Sequence, residues 1–444
     1  MRKLFFFTEF YYPVQDTTGY YLTRIIDTAD RCLDVPVNVC CAVPSDSGEP
    51  PASHKLTVRR IKTAKYDKNR ITQRIIRHIL IAWRFAVYAL LKVRPGDTVF
   101  AVTNPAFLIP FLAILAKAKR FRWILLVYDV FPENLVPTGL VRRDSWMYRL
   151  ALGCFNWAYR ATDAIIVIGR DMEEVVRAKV GDTCRITQIP NWVDVNAIRP
   201  QPKSENGLIR AHHLQDKIVF LFAGNLGRVQ GIENLLEAIL RTQSQSAAFL
   251  FVGDGALRPR LQRFMQRHSD KRVIHLGRLP MSRQQSFLNA CDVSLVTLDA
   301  DMYGLGVPSK SYFAMAVGKP LLLVADADSE IGRVVAEENI GWIVPPDVPE
   351  ALARQIDQIC VSADLREKGR RAREVAERRF SGEVILSRYS SYFKQVLGQN
   401  EADDYSRTAR RRYAVETVPS TQRQTSADDA VIGYAHPGLP KASP

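Results

Sequence analysis

Twelve short runs of Val, Ile, Leu and Phe, each followed by a helix-patterned stretch, constrain this chain more than any other feature. They fall in two series. Lys3–Phe7, Val37–Ala42, Asp97–Val102, Trp123–Tyr128, Ala164–Ile168 and Ile186–Ile189 read as strands of a first sheet. Ile218–Ala223, Ala248–Val252, Val273–Leu276, Val293–Val296, Pro320–Val324 and Trp342–Val344 read as strands of a second. The runs are apolar throughout rather than alternating, which marks strands buried on both faces, as in parallel sheets covered by helices. Strand-helix repetition predicts an α/β chain of two Rossmann-like, doubly wound parallel-sheet domains facing across a cleft. Ligands of such sheets bind beyond the carboxyl ends of the strands, so chemistry belongs in the loops that follow them.

The join is visible in the sequence. Pro190–Asp194 closes the first series, and a polar linker with Pro200 and Pro202 follows, giving domains over 1–198 and 199–380. Beyond Gln399 the composition turns to Ser, Thr, Asp, Arg and Pro, so 398–444 is expected to be a disordered tail. A hydrophobic content of 47% over 444 residues supplies two cores and excludes a disordered, collagenous or coiled-coil chain. The seven cysteines are scattered without a Cys-x-x-Cys pair, which predicts no disulfide framework, no metal site and a reducing compartment. The first ten residues are too briefly apolar for a signal peptide, and no run reaches the ~18 residues of a spanning helix. A soluble or peripheral protein is expected.

Glycine-bearing turns follow four strands of the second series: Ala223-Gly-Asn-Leu-Gly-Arg-Val-Gln-Gly231, Val252-Gly-Asp-Gly255, Gly277-Arg-Leu-Pro280 and Gly304-Leu-Gly-Val-Pro-Ser-Lys310. Together they suggest a nucleotide cleft, although none has Walker or dinucleotide spacing. Ser309 can cap the helix that begins beside it. Lys310 puts a cation in that first turn, against the helix dipole, which makes sense where an anion sits nearby.

In order and spacing these segments resemble glycosyltransferase family 4, the retaining GT-B enzymes, closest to the branch that builds bacterial cell-surface polysaccharides. The resemblance spans about 1–395. It rests on Tyr11-Tyr-Pro13 with Thr17-Thr-Gly19, Tyr128-Asp-Val-Phe-Pro-Glu133, Ile189-Pro-Asn-Trp-Val-Asp194, Ala223–Arg228, Gly253-Asp-Gly255, Pro308-Ser-Lys310 and Gly318-Lys-Pro320. It implies a nucleotide-diphosphate sugar donor in the second domain and a lipid-linked or growing saccharide acceptor on the first. The donor would meet Gly224, Asn225, Gly227, Gly253, Asp254, Arg278, Leu279, Pro308 and Ser309. Arg228 and Lys310 would hold the leaving diphosphate, and Asp129 would position acceptor or sugar. Thr17, Thr18, Gly19 and Glu133 would line the acceptor side of the cleft. No cofactor and no metal is implied, since backbone N–H groups and cations neutralise the diphosphate. A helix over 381–397 would cross back to the first domain.

Three departures stand out. The family's Glu-x7-Glu carboxylates fall on Leu305 and Phe313, its usual Arg and Lys of the first glycine turn on Asn225 and Gln230, and its frequent His before Asp129 on Tyr128. A sugar-nucleotide epimerase or hydrolase and a non-catalytic scaffold of the same shape are therefore the rival readings. The motifs name neither donor sugar nor linkage.

The net charge of +15 is concentrated. Between Lys55 and Arg94 there are twelve Lys/Arg and one acid, Asp67. Arg70, Arg74, Arg77 and Arg84 share one helical face beside Ile75, Ile76, Ile79, Leu80, Trp83 and Tyr88. That pattern predicts a helix lying on an anionic membrane surface, and with it a cytoplasmic protein bound peripherally to the inner face of the plasma membrane. No nucleic-acid module is recognisable.

Overall fold

The computed structural model describes residues 2–12, 17–44, 56–63 and 71–398. Among them the strands form two sheets, parallel throughout. The first contains β1 (Leu4–Thr8), β2 (Val37–Pro44), β3 (Leu56–Thr63), β4 (Thr98–Val102), β5 (Arg122–Val127), β6 (Ala164–Val167) and β7 (Arg185–Gln188), in the order β3-β2-β1-β4-β5-β6-β7. The second contains β8 (Ile218–Ala223), β9 (Ala247–Val252), β10 (Val273–His275), β11 (Val293–Thr297), β12 (Leu321–Val324) and β13 (Gly341–Val344), ordered β10-β9-β8-β11-β12-β13. In both, the order reverses beside the first strand, at β1/β4 and at β8/β11. The divergent connections there open a crevice at the carboxyl edge.

Burial explains the unbroken apolar runs. Along β8 and β9, Val219, Leu221, Ala248 and Leu250 pack into a core on one face. Phe220, Phe222, Phe249 and Phe251 pack into a second core on the other, with Phe220 stacked on Phe249 at 5.5 Å. Each fully buried Phe contributes roughly 2–3 kcal/mol, so alternation would have left one core empty.

The expected strands are all present within a residue or two, and one was missed. Strand β3, Leu-Thr-Val-Arg-Arg-Ile-Lys-Thr, is an edge strand pairing β2 from Leu56 to Thr63, half-exposed along its length. Its charges disguised it, and Arg59, Arg60 and Lys62 belong to this edge rather than to the basic helix that follows.

That helix, Ile71–Lys92, forms, and two of the four arginines of its expected cationic stripe are described. Arg77 pairs with the buried Glu9, and Arg84 donates to the Lys62 carbonyl at 2.9 Å. Arg70 and the side chain of Arg74 lie outside the described residues, as does nearly all of the expected tail. The helix buries Ile81, Ala82, Phe85 and Ala89 while leaving Ile76, Leu80, Trp83 and Leu91 exposed. No helix among the described residues is long and apolar enough to cross a membrane.

Contacts tie the sheets together. Val193 bridges to Ser381, its N–H donating to Phe380 at 2.9 Å. The helix Gly382–Val396 carries Phe393 onto the first sheet, with ring centroids 6.0 Å from Phe6 and 5.7 Å from Phe100.

Candidate active site

The turns after β8 and β9 interlock. Gly224 has φ +149° and donates to the Val252 carbonyl at 2.9 Å, while Leu226 donates to that of Asp254 at 2.9 Å. A Cβ on Gly253 would stand 1.8 Å from the Gly224 oxygen, and one on Gly255 2.5 Å from the Leu226 oxygen. Glycine is therefore required by the neighbouring backbone and not only by turn geometry. Buried Leu226 anchors the first turn, leaving Gly224, Asn225 and Arg228 exposed at its tip and Gly227 buried against Asn225. Asp254 serves its own turn, accepting from Gly255 at 2.8 Å and pairing with Arg258 at 3.2 Å. Of the β10 turn, Arg278 is exposed while Leu279 packs against the core.

A short helix, Lys310–Ala316, starts where Pro308 ends the fourth glycine turn. Ser309 was expected to cap it. Its side chain makes no capping bond, because its backbone is already helical (φ −61°, ψ −21°) and its hydroxyl cannot reach back. Lys310 instead sends its Nζ to the amide oxygen of Gln230 at 2.7 Å and over the face of Phe222, 4.1 Å from the ring centroid. Desolvation pulls its pKa down to about 7, with no carboxylate to offset it. Gln230 is held in turn, its carbonyl accepting from Thr297 Oγ1 at 2.5 Å. A cation held by a neutral amide and a ring face, at the meeting of two glycine turns, favours an anionic ligand.

From the first sheet, Asp129 arrives at the end of β5. The hydroxyl of Thr103, at the end of β4, lies 3.2 Å from the Tyr128 N–H and 3.3 Å from that of Asp129. Val130 donates to the Leu305 carbonyl at 3.1 Å, which lays this loop directly on the fourth glycine turn. A Cβ on Gly306 would sit 3.5 Å from Asp129 Oδ1. Leu305 is buried and Phe313 packs on the core, which accounts for the apolar residues where the family resemblance led one to look for carboxylates.

Other expected residues lie differently. Glu133 forms an ion pair with Lys179, itself 4% exposed. Burial lowers the lysine's pKa even beside that carboxylate. Thr17, Thr18 and Gly19, read as a loop, form the first turn of the helix Thr17–Cys32. The apolar spacing of Tyr21, Leu22, Ile25, Ile26 and Ala29 extends the helix back to include them.

Several residues of the site were not read from the sequence. Phe222 and Thr297 surround Lys310 without any motif of their own, and Gln230, read only as a departure in the first glycine turn, proves to be its partner. Asp171 accepts from the Gly304 N–H at 3.3 Å, Arg170 pairs with Glu330 at 2.9 Å, and Glu174 binds Tyr303 and Arg333. These bonds join the helix Arg170–Val180 to the second sheet's loops and helix Glu330–Glu338. Beside them a cavity of about 140 Å³ is lined by Asp171, Asp299, Gly306, Pro308, Ser329 and Glu330. No sequence motif marked these residues, which touch across loops distant in sequence.

Known proteins match this arrangement. Residues 22–197 match the model described as Glycosyltransferase Family 4, and residues 217–361 the one described as Glycosyl transferases group 1. A Pseudomonas aeruginosa protein named as a probable glycosyltransferase, WbjE, is 39% identical over 403 residues, covering 90% of this chain and 100% of the relative. WcaI of Escherichia coli, named for colanic acid biosynthesis, is 25% identical over 298 residues, 66% of this chain and 72% of its own. Among solved structures, Anabaena HepE in complex with UDP superposes with a TM-score of 0.65 at 17% identity, covering 89% of this chain and 100% of HepE. WaaG, titled as a glycosyltransferase of lipopolysaccharide biosynthesis, gives 0.62 at 12%, covering 88% and 98%. Two crossed glycine turns, a loop laid against them from a second parallel sheet, and a relative matched along its whole length lead to one conclusion: the chain belongs to glycosyltransferase family 4 and has the GT-B fold.

Proposed function

We propose that this protein transfers a sugar from a nucleoside-diphosphate donor to a hydroxyl of a lipid-linked or growing saccharide in surface-polysaccharide biosynthesis, at the inner face of the plasma membrane. The observation that carries this reading is Lys310, a desolvated ammonium with a neutral amide and a ring for neighbours, where the turns after β8 and β11 converge. HepE, of the same fold, is titled as a complex with UDP and with UDP-glucose, and WcaI and WaaG are named for polysaccharide and lipopolysaccharide biosynthesis.

In this reading Lys310 and the exposed Arg228 stabilise negative charge as the glycosidic bond to the diphosphate lengthens, in a site whose dipoles are already oriented. Gly224, Asn225, Gly253 and the Pro308–Ser309 segment offer backbone close to the phosphates, and Arg278 with Leu279 flanks the base. Asp129 orients the acceptor or sugar hydroxyl across from Gly306. Transfer proceeds with retention and without a metal or cofactor.

The test is a panel of UDP-, GDP-, dTDP- and ADP-sugars incubated with a membrane extract as acceptor source. One donor should label lipid-extractable material, and chelator should leave the rate unchanged. Anomeric NMR of the product should show retained configuration. Release of free sugar as the principal product would favour a hydrolase, and absence of binding to every donor would favour a scaffold.

A further inference from the structure

Three neighbouring helices of the first sheet carry a second apolar stripe on the side away from the core. Helix Ile71–Lys92 packs beside Leu108–Lys119, and Leu108–Lys119 beside Trp146–Arg160. In the first, Ile76, Leu80 and Trp83 are 59%, 51% and 56% exposed; in the second, Phe107 and Ile114 flank Phe111; in the third, Trp146, Leu150 and Trp157 are 72%, 67% and 46% exposed. Each set follows offsets of 0, 4 and 7 or 11, one face of a helix. The opposite faces hold the core residues Phe85, Leu112 and Phe155, so these exposed side chains are surplus to folding. A contiguous patch of this size marks a surface that meets something apolar.

Charge says what. The three helices contain no Asp or Glu, whereas Lys92, Lys117, Arg149 and Arg160 stand on them exposed; the adjoining turns add Arg120 and Arg143, and their one carboxylate beside Trp146, Asp144, is paired with Arg142 at 2.8 Å. Exposed tryptophans on a face edged by cations, with long arms able to reach outward, fit a lipid interface bearing negative headgroups. A protein partner would more readily be met by mixed charge.

Topology says why it matters. A crossover helix between parallel strands runs antiparallel to them, so its start lies at the strands' carboxyl edge. Phe107, Trp146, Met147 and Leu150 stand at such starts, on the edge where Thr103 and Asp129 sit. We infer that this three-helix face docks flat on an anionic bilayer and presents the mouth of the acceptor side to the membrane. The inference deepens the proposed function by assigning the surface that meets the lipid, and its location beside Asp129 rests on that reading.

The test uses the full chain, without donor or acceptor, sedimented with vesicles of phosphatidylglycerol and phosphatidylethanolamine or of phosphatidylcholine alone. Binding should require the anionic lipid and weaken when salt is raised from 0.1 to 0.5 M, as headgroup attraction is screened. The double variant Trp146→Glu/Leu150→Glu, both sites exposed, should keep its unfolding midpoint and lose ~30-fold in vesicle affinity. Arg143→Gln/Arg149→Gln should lose only the anionic preference. Failure of the wild type to bind, or unchanged binding by the double variant, would overturn the inference. So would a wild-type dimer in sedimentation equilibrium that the double variant converts to monomer without vesicle binding in either. Donor calorimetry on the same preparations reports separately on the transferase reading.

Discussion

Replacing Lys310 by Met should strengthen the empty protein and weaken its grip on a nucleoside diphosphate, two effects of opposite sign from one buried charge. The ammonium ordinarily titrates at 10.5 and here at about 7, because desolvation disfavours its charged form. At about 1.4 kcal/mol per unit, that span caps the cost of the charge at about 5 kcal/mol. Partial solvent contact halves it, and losing the bond to Gln230 and the contact with Phe222 offsets about 1.5 kcal/mol more. A net gain of about 1 kcal/mol is expected for Lys310→Met in the empty protein. The sign follows the proton. Between pH 7 and 10 the unfolded lysine is protonated and the folded one is not, so wild-type stability rises with pH there. Below about pH 7 both are charged and the penalty is complete. The variant's advantage should therefore be largest at pH 6.5 and absent near pH 10, as read by urea unfolding. Calorimetry should show the converse for ligand. At pH 8, where a terminal phosphate is fully ionised, UDP or GDP binding to the wild type should take up most of one proton, measured by repeating the titration in buffers of different ionisation enthalpy. Lys310→Met should take up none and bind at least 30-fold more weakly. A variant that is destabilised equally at every pH, or that keeps the proton uptake, would refute the reasoning.

Other outcomes follow from the same geometry. Asp129→Asn should leave nucleotide affinity within twofold and cut turnover at least 100-fold, about 2.7 kcal/mol of transition-state stabilisation, checked by steady-state kinetics beside calorimetry. Gly253→Ala places a Cβ against the Gly224 oxygen and should cost about 3 kcal/mol or more in urea unfolding, with nucleotide affinity falling as the turns part. Glu133→Gln strands the buried Lys179 ammonium and should destabilise by about 3 kcal/mol, with a thermal midpoint that recovers as pH rises and the lysine deprotonates.

The fold was legible because buried parallel strands must be apolar on both faces. Phe220 and Leu221 are neighbours in sequence that enter different cores, and no other environment asks that of a run of six. Strand β3 escaped because an edge strand alternates and carries charge, the features that also describe an exposed helix face. The glycine turns were legible as turns, but not their interlock, since nothing in Gly253 announces that Gly224 lies against it. Lys310 could be singled out because a cation in a helix's first turn is electrostatically misplaced. Its pairing with Gln230, a residue noticed only as a departure in the first glycine turn, could not, since the two stand eighty positions apart. Arg77 shows the limit of periodicity: the helix face was right, yet Glu9, just beyond β1, captured the charge that helical phase had assigned to the membrane.

The crossed turns after β8 and β9 also limit how such an enzyme can change its substrate. Because the β8 turn fills the space a side chain would need at Gly253 and Gly255, the β9 turn cannot gain one at either position without displacing its neighbour. Under the proposed function, selection for a different nucleotide or sugar is thereby steered toward the freer segment Arg278–Pro280 beyond β10. There Arg278 and Pro280 are exposed to solvent. Diversification of donor preference among chains built this way should accumulate along that one margin of the cleft while the pair of turns stays frozen.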